Sequence, residues 1–208
     1  MSQTPAPFPP SAALDEELAR AEVYGLLAPL WYAAPSADLL QALRVAPTEA
    51  PTPGGFLEEP WRALVGACRA MEPPQIAAEY DALFGGMGKP DVYLFGSHYL
   101  AGFLNERPLV KLRDQLAGLG LARDEAMPET EDHIACLCEV MRYLIAGDDA
   151  AVSNLARQRE FFAAHLQPWA PQLCDAVAAH PGAHFYAALA GFTRAFLSVE
   201  QQGFDMLE

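Results

Sequence analysis

The chain has 208 residues, enough for one domain with a sizeable core, and 52% of them are hydrophobic, which excludes a chain left disordered for want of apolar surface. With 27 acidic residues against 13 basic ones, the formal charge is −14. A surface that negative repels phosphate backbones and anionic lipid, so nucleic acid and membrane surfaces are poor partners and a cationic peptide is a better one.

Residues 1–10 hold four prolines and read as a loose arm ahead of a single helical domain over 11–208. The first 20 residues, MSQTPAPFPPSAALDEELAR, contain no basic stretch followed by an apolar one, so no export signal is expected. From Ser11 the pattern turns helical: Leu14, Leu18, Ala21, Tyr24, Leu27 and Trp31 recur at spacings of three and four. A shorter helix is predicted over 37–45, and 46–55, APTEAPTPGG, is a loop. Helices resume over 57–71 and 75–84, the second with Ile76, Tyr80, Leu83 and Phe84 on one stripe.

The segment 85–99, GGMGKPDVYLFGSHY, is too irregular for a helix and lacks strand alternation, and its aromatics argue for an ordered, packed loop. Further helices are predicted over 105–119, over 131–146 with Thr130 as cap, and over 150–165, 168–179 and 182–202. No run of about 18 apolar residues could span a bilayer. With no repeat and no hairpin pattern, the class is all-α, a single globular domain of about eight to ten helices.

The four cysteines, Cys68, Cys136, Cys138 and Cys174, form no CxxC pair, and no histidine stands at zinc-finger spacing. Neither a metal nor a cofactor is expected, and reduced thiols in the cytoplasm fit best. Cys136 and Cys138 diverge by about 200° on a helix, and Pro181 and Gly182 break the helix that would align His180 with His184. Both pairs read as structural.

The helix over 131–146 carries the most chemistry. At about 100° per residue, Ile134, Leu137, Cys138, Met141 and Ile145 face the core, while Asp132, Cys136, Glu139 and Tyr143 form a second side with His133 on the flank. That second side is too polar for core and too sparsely charged for an ordinary solvated face; it reads as the wall of a groove. An acid in a first turn also stabilises a helix without binding anything. Neighbouring helical residues diverge, so Asp132 cannot orient His133 as a catalytic dyad, and Ser97 in GSHY is no nucleophile elbow. A small hydrolase using His133 and Ser97 is therefore a remote alternative. Gly85-Gly86-Met87-Gly88-Lys89 lacks phosphate-loop spacing, follows a helix, and has Pro90 where a magnesium-binding hydroxyl would stand, which argues against nucleotide binding as the main function.

Together, Glu79-Tyr80-x-x-Leu83-Phe84, the Gly-rich loop with Pro90, and Gly96-Ser97-x-Tyr99-Leu100 resemble the TorD/DmsD family of redox-enzyme maturation chaperones. Pro128-Glu129-x-Glu131-Asp132-His133-Ile134 is similar to that family's E-P-x-D-H signature, and His165-Leu166-x-Pro168-Trp169 and Phe185-Tyr186-Ala187-Ala188-Leu189-Ala190 match further features. The resemblance spans roughly residues 12–200. It implies an all-helical, TorD-like, non-enzymatic chaperone, a monomer or a homodimer, that binds the twin-arginine signal peptide and the apoprotein of a molybdoenzyme and delays export until the cofactor is inserted. By resemblance, Tyr80, Leu83 and Phe84 form the floor of a peptide groove; Pro90, Ser97 and Tyr99 shape its loop wall; Asp132 and His133 make polar contacts. Glu79, Asp81, Glu129, Glu131 and Asp132 would supply carboxylates near that floor for the forked arginine guanidinium. Client types consistent with the family are formate dehydrogenase, favoured here, and dimethyl sulfoxide and trimethylamine N-oxide reductases. The alternative partner is the mature catalytic subunit, bound for cofactor insertion without leader recognition.

Overall fold

Ten α-helices occur among the described residues, 12–49, 55–85, 89–104, 106–124 and 127–206, of a computed structural model. They are α1 (Ala12–Tyr32), α2 (Ala37–Val45), α3 (Glu58–Ala70), α4 (Pro73–Phe84), α5 (Gly96–Ala101), α6 (Arg107–Gly118), α7 (Ile134–Ala146), α8 (Leu155–His165), α9 (Ala170–Ala178) and α10 (Phe185–Asp205). The expected arm over 1–10 lies outside the described residues, as do 50–54 and 86–88 of the two predicted loops. Among the described residues, no helix is long and apolar enough to cross a membrane.

Local chemistry accounts for most helix starts. Ser36 caps α2 by accepting from the Leu39 N–H, and Asn154 caps α8 by accepting from that of Arg157. Pro73 and Pro74 open α4, where a missing N–H costs no helical bond, and Glu72 and Gln75 cap its first turn reciprocally. Arg44 and Arg69 cross between the ends of α2 and α3: Arg44 donates to the Cys68 and Met71 carbonyls, and Arg69 to those of Arg44 and Ala46.

The long helix α1 lies mainly along α7, while α10 packs on α9 and α3 and touches α4; α8 lies against α7, and α5 against α6 and α9. Trp31, Trp169, Tyr24, Tyr186, Phe161, Phe162 and Phe185 are the largest fully buried side chains. One buried ionic network joins α1 to α10: Arg20 forks onto Glu200 at 2.6 and 2.9 Å, Tyr24 donates to the same carboxylate at 3.0 Å, and Arg20 also reaches Gln158 of α8 at 3.1 Å.

Several expectations need correction. Leu18, one of the apolar positions whose spacing marks α1, is 57% exposed, so that stripe does not reach the core there, whereas Ala21, Tyr24, Leu27 and Trp31 are buried. The segment 85–99 is not irregular throughout: Gly96 to Tyr99 belong to α5, a helix too short to show a period. The helix predicted from Glu131 begins at Ile134, since 94–96 and 132–134 pair as extended backbone through Gly96 N–H to Asp132 carbonyl and Ile134 N–H to Leu94 carbonyl, each 2.9 Å.

Helix α10 starts with no side-chain cap of its own. Its first donors are taken by Glu79 of α4, which accepts from the N–H groups of His184 (2.8 Å), Phe185 (3.2 Å) and Tyr186 (2.8 Å). This carboxylate is buried and belongs to the scaffold; the surface role expected for Glu79 is overturned. Glu79→Ala would strand three donors at a positive helix end, those of Phe185 and Tyr186 buried, and is expected to lower unfolding free energy by about 2–4 kcal/mol in urea titrations.

Candidate functional site

Of the eight predicted site residues, Tyr80, Phe84, Pro90 and Tyr99 are half-buried, while Leu83, Ser97, Asp132 and His133 are buried. On α4, Leu83 points into the core and Tyr80 and Phe84 stay at its edge, their rings 5.1 Å apart. Behind them lies Tyr186, 5.6 Å from Tyr80 and 5.1 Å from Phe84, and Trp31 meets Phe84 edge-on at 5.9 Å. The Tyr80 hydroxyl donates to the Tyr32 carbonyl at 2.7 Å, and the Tyr32 ring stands 5.9 Å from the His133 imidazole. Tyr32 thus connects the α4 floor to the start of α7. Sequence periodicity marks it only as the end of α1 and says nothing of this contact across the fold.

The segment between α4 and α5 is held at both ends. Val92 N–H donates to the Leu83 carbonyl at 2.9 Å, and Phe95 pairs with His133. Tyr99 stacks on Trp169 at 5.5 Å and donates to the Tyr93 carbonyl at 2.9 Å. Gly96 is required by that arrangement, since a Cβ there would sit 2.9 Å from the Trp169 indole.

Asp132 and His133 are turned inward. One Asp132 oxygen accepts from the Ser97 N–H at 2.8 Å and so anchors the start of α5; the other accepts from the Thr130 hydroxyl at 2.6 Å. The expected direct contact of Asp132 with a ligand therefore competes with two bonds it already makes, and the acid does not lie on the α7 face. His133 caps α7: its Nδ1 accepts from the Ala135 N–H at 3.2 Å, with Phe95 edge-on at 5.0 Å. A neutral imidazole used this way carries its proton on Nε2 and has no lone pair left for Ser97, whose hydroxyl has no hydrogen-bond partner among the described residues. The hydrolase arrangement loses its base.

The acids expected at the floor divide. Glu79 and Asp132 serve helix starts inside the fold, and Glu131 pairs with Arg113 at 2.9 Å. Asp81 is exposed and Glu129 half-buried, and both act on Tyr80: burial, then the Glu129 charge, then those of Tyr32 and Asp81 push its hydroxyl up to about 12. The half-buried Tyr80–Phe84 pair, with Asp81 next to Tyr80 on α4 and the Glu129 charge acting on the Tyr80 hydroxyl, is what is left of the predicted trough near the surface.

The groove wall predicted on α7 also exists, although elsewhere. Cys136, Glu139 and Tyr143 line a cavity of about 330 Å³ opposite Leu116, Leu121 and Met127. Burial pushes the Cys136 thiol up to about 11, so it is a poor nucleophile. A larger groove of about 650 Å³ runs between α1 and α10 and includes Phe56 and Leu57. None of the eight predicted residues lines either one. Among the described residues, no group of three or more His, Cys, Asp or Glu could hold a metal ion.

The family model described as nitrate reductase delta subunit matches residues 55–175. A curated relative named chaperone protein TorD, from Vibrio cholerae serotype O1 (strain El Tor Inaba N16961), is 25% identical over 140 residues, 64% of each chain. Another chaperone protein TorD, from Aliivibrio salmonicida, is 25% identical over 134 residues, which is 61% of this chain and 62% of the relative. The chain thus spans a little less than two thirds of the length of the curated relatives it matches.

Burial lowers the His133 imidazole to about 4 against the pull of Asp132, and lowers His165 to about 4 against that of Glu160. The unfolded chain, with ordinary values near ~6.5, therefore binds protons in this window that the folded chain refuses. Stability from both groups is complete above that ordinary value and is lost as pH falls toward 4. His133→Asn, which keeps a cap acceptor, is expected to flatten the fall of melting temperature between pH ~6.5 and ~5, a range above most carboxylate titration; an unchanged slope would show that this imidazole titrates normally.

Proposed function

Because the chain belongs to the nitrate reductase delta subunit family of TorD-like proteins, we propose that it is a cytoplasmic redox-enzyme maturation chaperone that binds the twin-arginine leader of a molybdoenzyme precursor and delays export until the cofactor is in place. The observation that carries this reading is the half-buried Tyr80–Phe84 pair with Asp81 and Glu129 at its edge. A leader offers two guanidinium groups followed by an apolar run, and both halves find their complement there: carboxylates that a forked cation can engage, and aromatic faces that an apolar side chain can cover.

Tyr80 and Phe84 are the direct contacts in this scheme, with Pro90 and Tyr99 forming the adjoining wall. Leu83, Ser97, Asp132 and His133 act from behind: Leu83 seats α4, Asp132 holds α5 through Ser97, and His133 fixes the turn into α7. Two or three apolar side chains buried at ~1.5–3 kcal/mol each, less the cost of ordering the peptide, give a complex near micromolar affinity. Such a complex holds a precursor and still releases it.

The test is calorimetric titration with a synthetic peptide carrying two adjacent arginines and an apolar run of about 12 residues. Micromolar binding is expected, weaker when the arginines become lysines, and weakened about tenfold or more by Phe84→Ala with circular dichroism unchanged. Absence of binding by the wild-type chain would overturn leader recognition. Capture of a client subunit lacking its leader would move the reading to the mature part of the molybdoenzyme.

A further inference from the structure

Tyr186 sits in the first turn of α10, fully buried, with its N–H held by Glu79. Four rings surround it: Phe84 at 5.1 Å, Phe185 at 5.2 Å, Tyr80 at 5.6 Å and Trp31 at 6.2 Å. The polar atoms of its neighbours are satisfied. Tyr80 donates to the Tyr32 carbonyl at 2.7 Å, and the Trp31 indole N–H donates to the Thr193 hydroxyl at 3.1 Å. The Tyr186 hydroxyl has no hydrogen-bond partner among the described residues.

A phenylalanine would supply the same ring without an unmatched hydroxyl, and buried polar groups left unpaired are rare enough to call for a reason. Two of the rings packed on Tyr186, those of Tyr80 and Phe84, are themselves only half-buried, so this side of the cluster lies near the surface. Of the two, Tyr80 is tied by its hydrogen bond, whereas Phe84 is held by ring contacts alone, at the last residue of α4. The Phe84 ring can therefore change rotamer without breaking a side-chain hydrogen bond.

We propose that Tyr186 is a recognition residue of the peptide site, concealed in the unliganded protein: an apolar side chain of the bound peptide takes the place of the Phe84 ring, and the Tyr186 hydroxyl donates to the adjacent main-chain carbonyl of that peptide. The inference rests on the peptide-binding reading above. A main-chain carbonyl suits the position because the hydroxyl has a proton to donate and every peptide residue carries such an acceptor, while Asp81 and Glu129, which act on Tyr80, favour a segment of positive charge. Burial, and then the neighbouring Tyr80, Glu79 and Asp81, push the hydroxyl well above the ordinary tyrosine range, so it remains a donor at any physiological pH.

Tyr186→Phe tests this with two readouts of opposite sign. In the unliganded protein, loss of an unmatched buried hydroxyl is expected to raise the melting temperature by about 2–4 °C. Titrated with the twin-arginine peptide, the same variant is expected to bind about 3- to 10-fold more weakly. A merely structural tyrosine would not pair a gain in stability with a loss of affinity. Unchanged affinity in Tyr186→Phe, with the wild type binding normally, overturns the inference and leaves the peptide site standing. A lowered melting temperature overturns it as well, since it reveals a resident partner, such as an internal water, for the hydroxyl. Failure of the wild type to bind the peptide removes both this inference and the reading beneath it.

Discussion

A carboxylate buried among helices persists only where donors surround it, and the fold depends on one such case. Glu79 projects from α4 into the start of α10 and takes three successive N–H groups that the helix cannot satisfy itself. The contact joins residues 105 to 107 positions apart in the chain. It sets the height of Tyr186 behind Tyr80 and Phe84, and so the depth of the aromatic floor. Charge, helix dipole and geometry all act in the same direction at this point.

Asp132 repeats the device on the neighbouring element. Its carboxylate holds the first turn of α5 through Ser97, while its own carbonyl and the Ile134 N–H pair with the backbone of residues 94–96. The segment after α4 is thereby stitched to the entry of α7, and His133 occupies the stitch with its ring between helix capping and aromatic packing. The acidic motif that marks the family in this sequence is, in the folded chain, largely a structural clasp. Its carboxylate and carbonyl act by fixing the position of the loop they hold.

The candidate site is legible in part from the residues alone. The stripe on α4 is a matter of helical period, so the spacing of Tyr80, Leu83 and Phe84 is enough to place them together. The same reasoning finds the α7 core face and the polar side that borders a cavity. It misplaces Asp132 because it extends the helix three residues too early; the extended pairing of 132–134 with 94–96 is a long-range contact with no local signature. It counts Glu79 among surface acids for a related reason, since an isolated glutamate on a helix reads the same whether its partner is water or a distant helix start. Tyr32, which bridges the floor to His133, is marked by its spacing only as the end of α1.

By itself the sequence determined the helical class, the helix 37–45 to the residue, the core faces of α4 and α7, and the excess of negative charge, because each follows from composition or from a period repeated within a few turns. Only the tertiary structure decided which carboxylates are spent inside the fold and which remain at its rim, and which aromatic rings cover others. Those outcomes depend on groups far apart in the chain meeting at hydrogen-bond or ring-packing distance, short-range contacts about which sequence spacing carries no information.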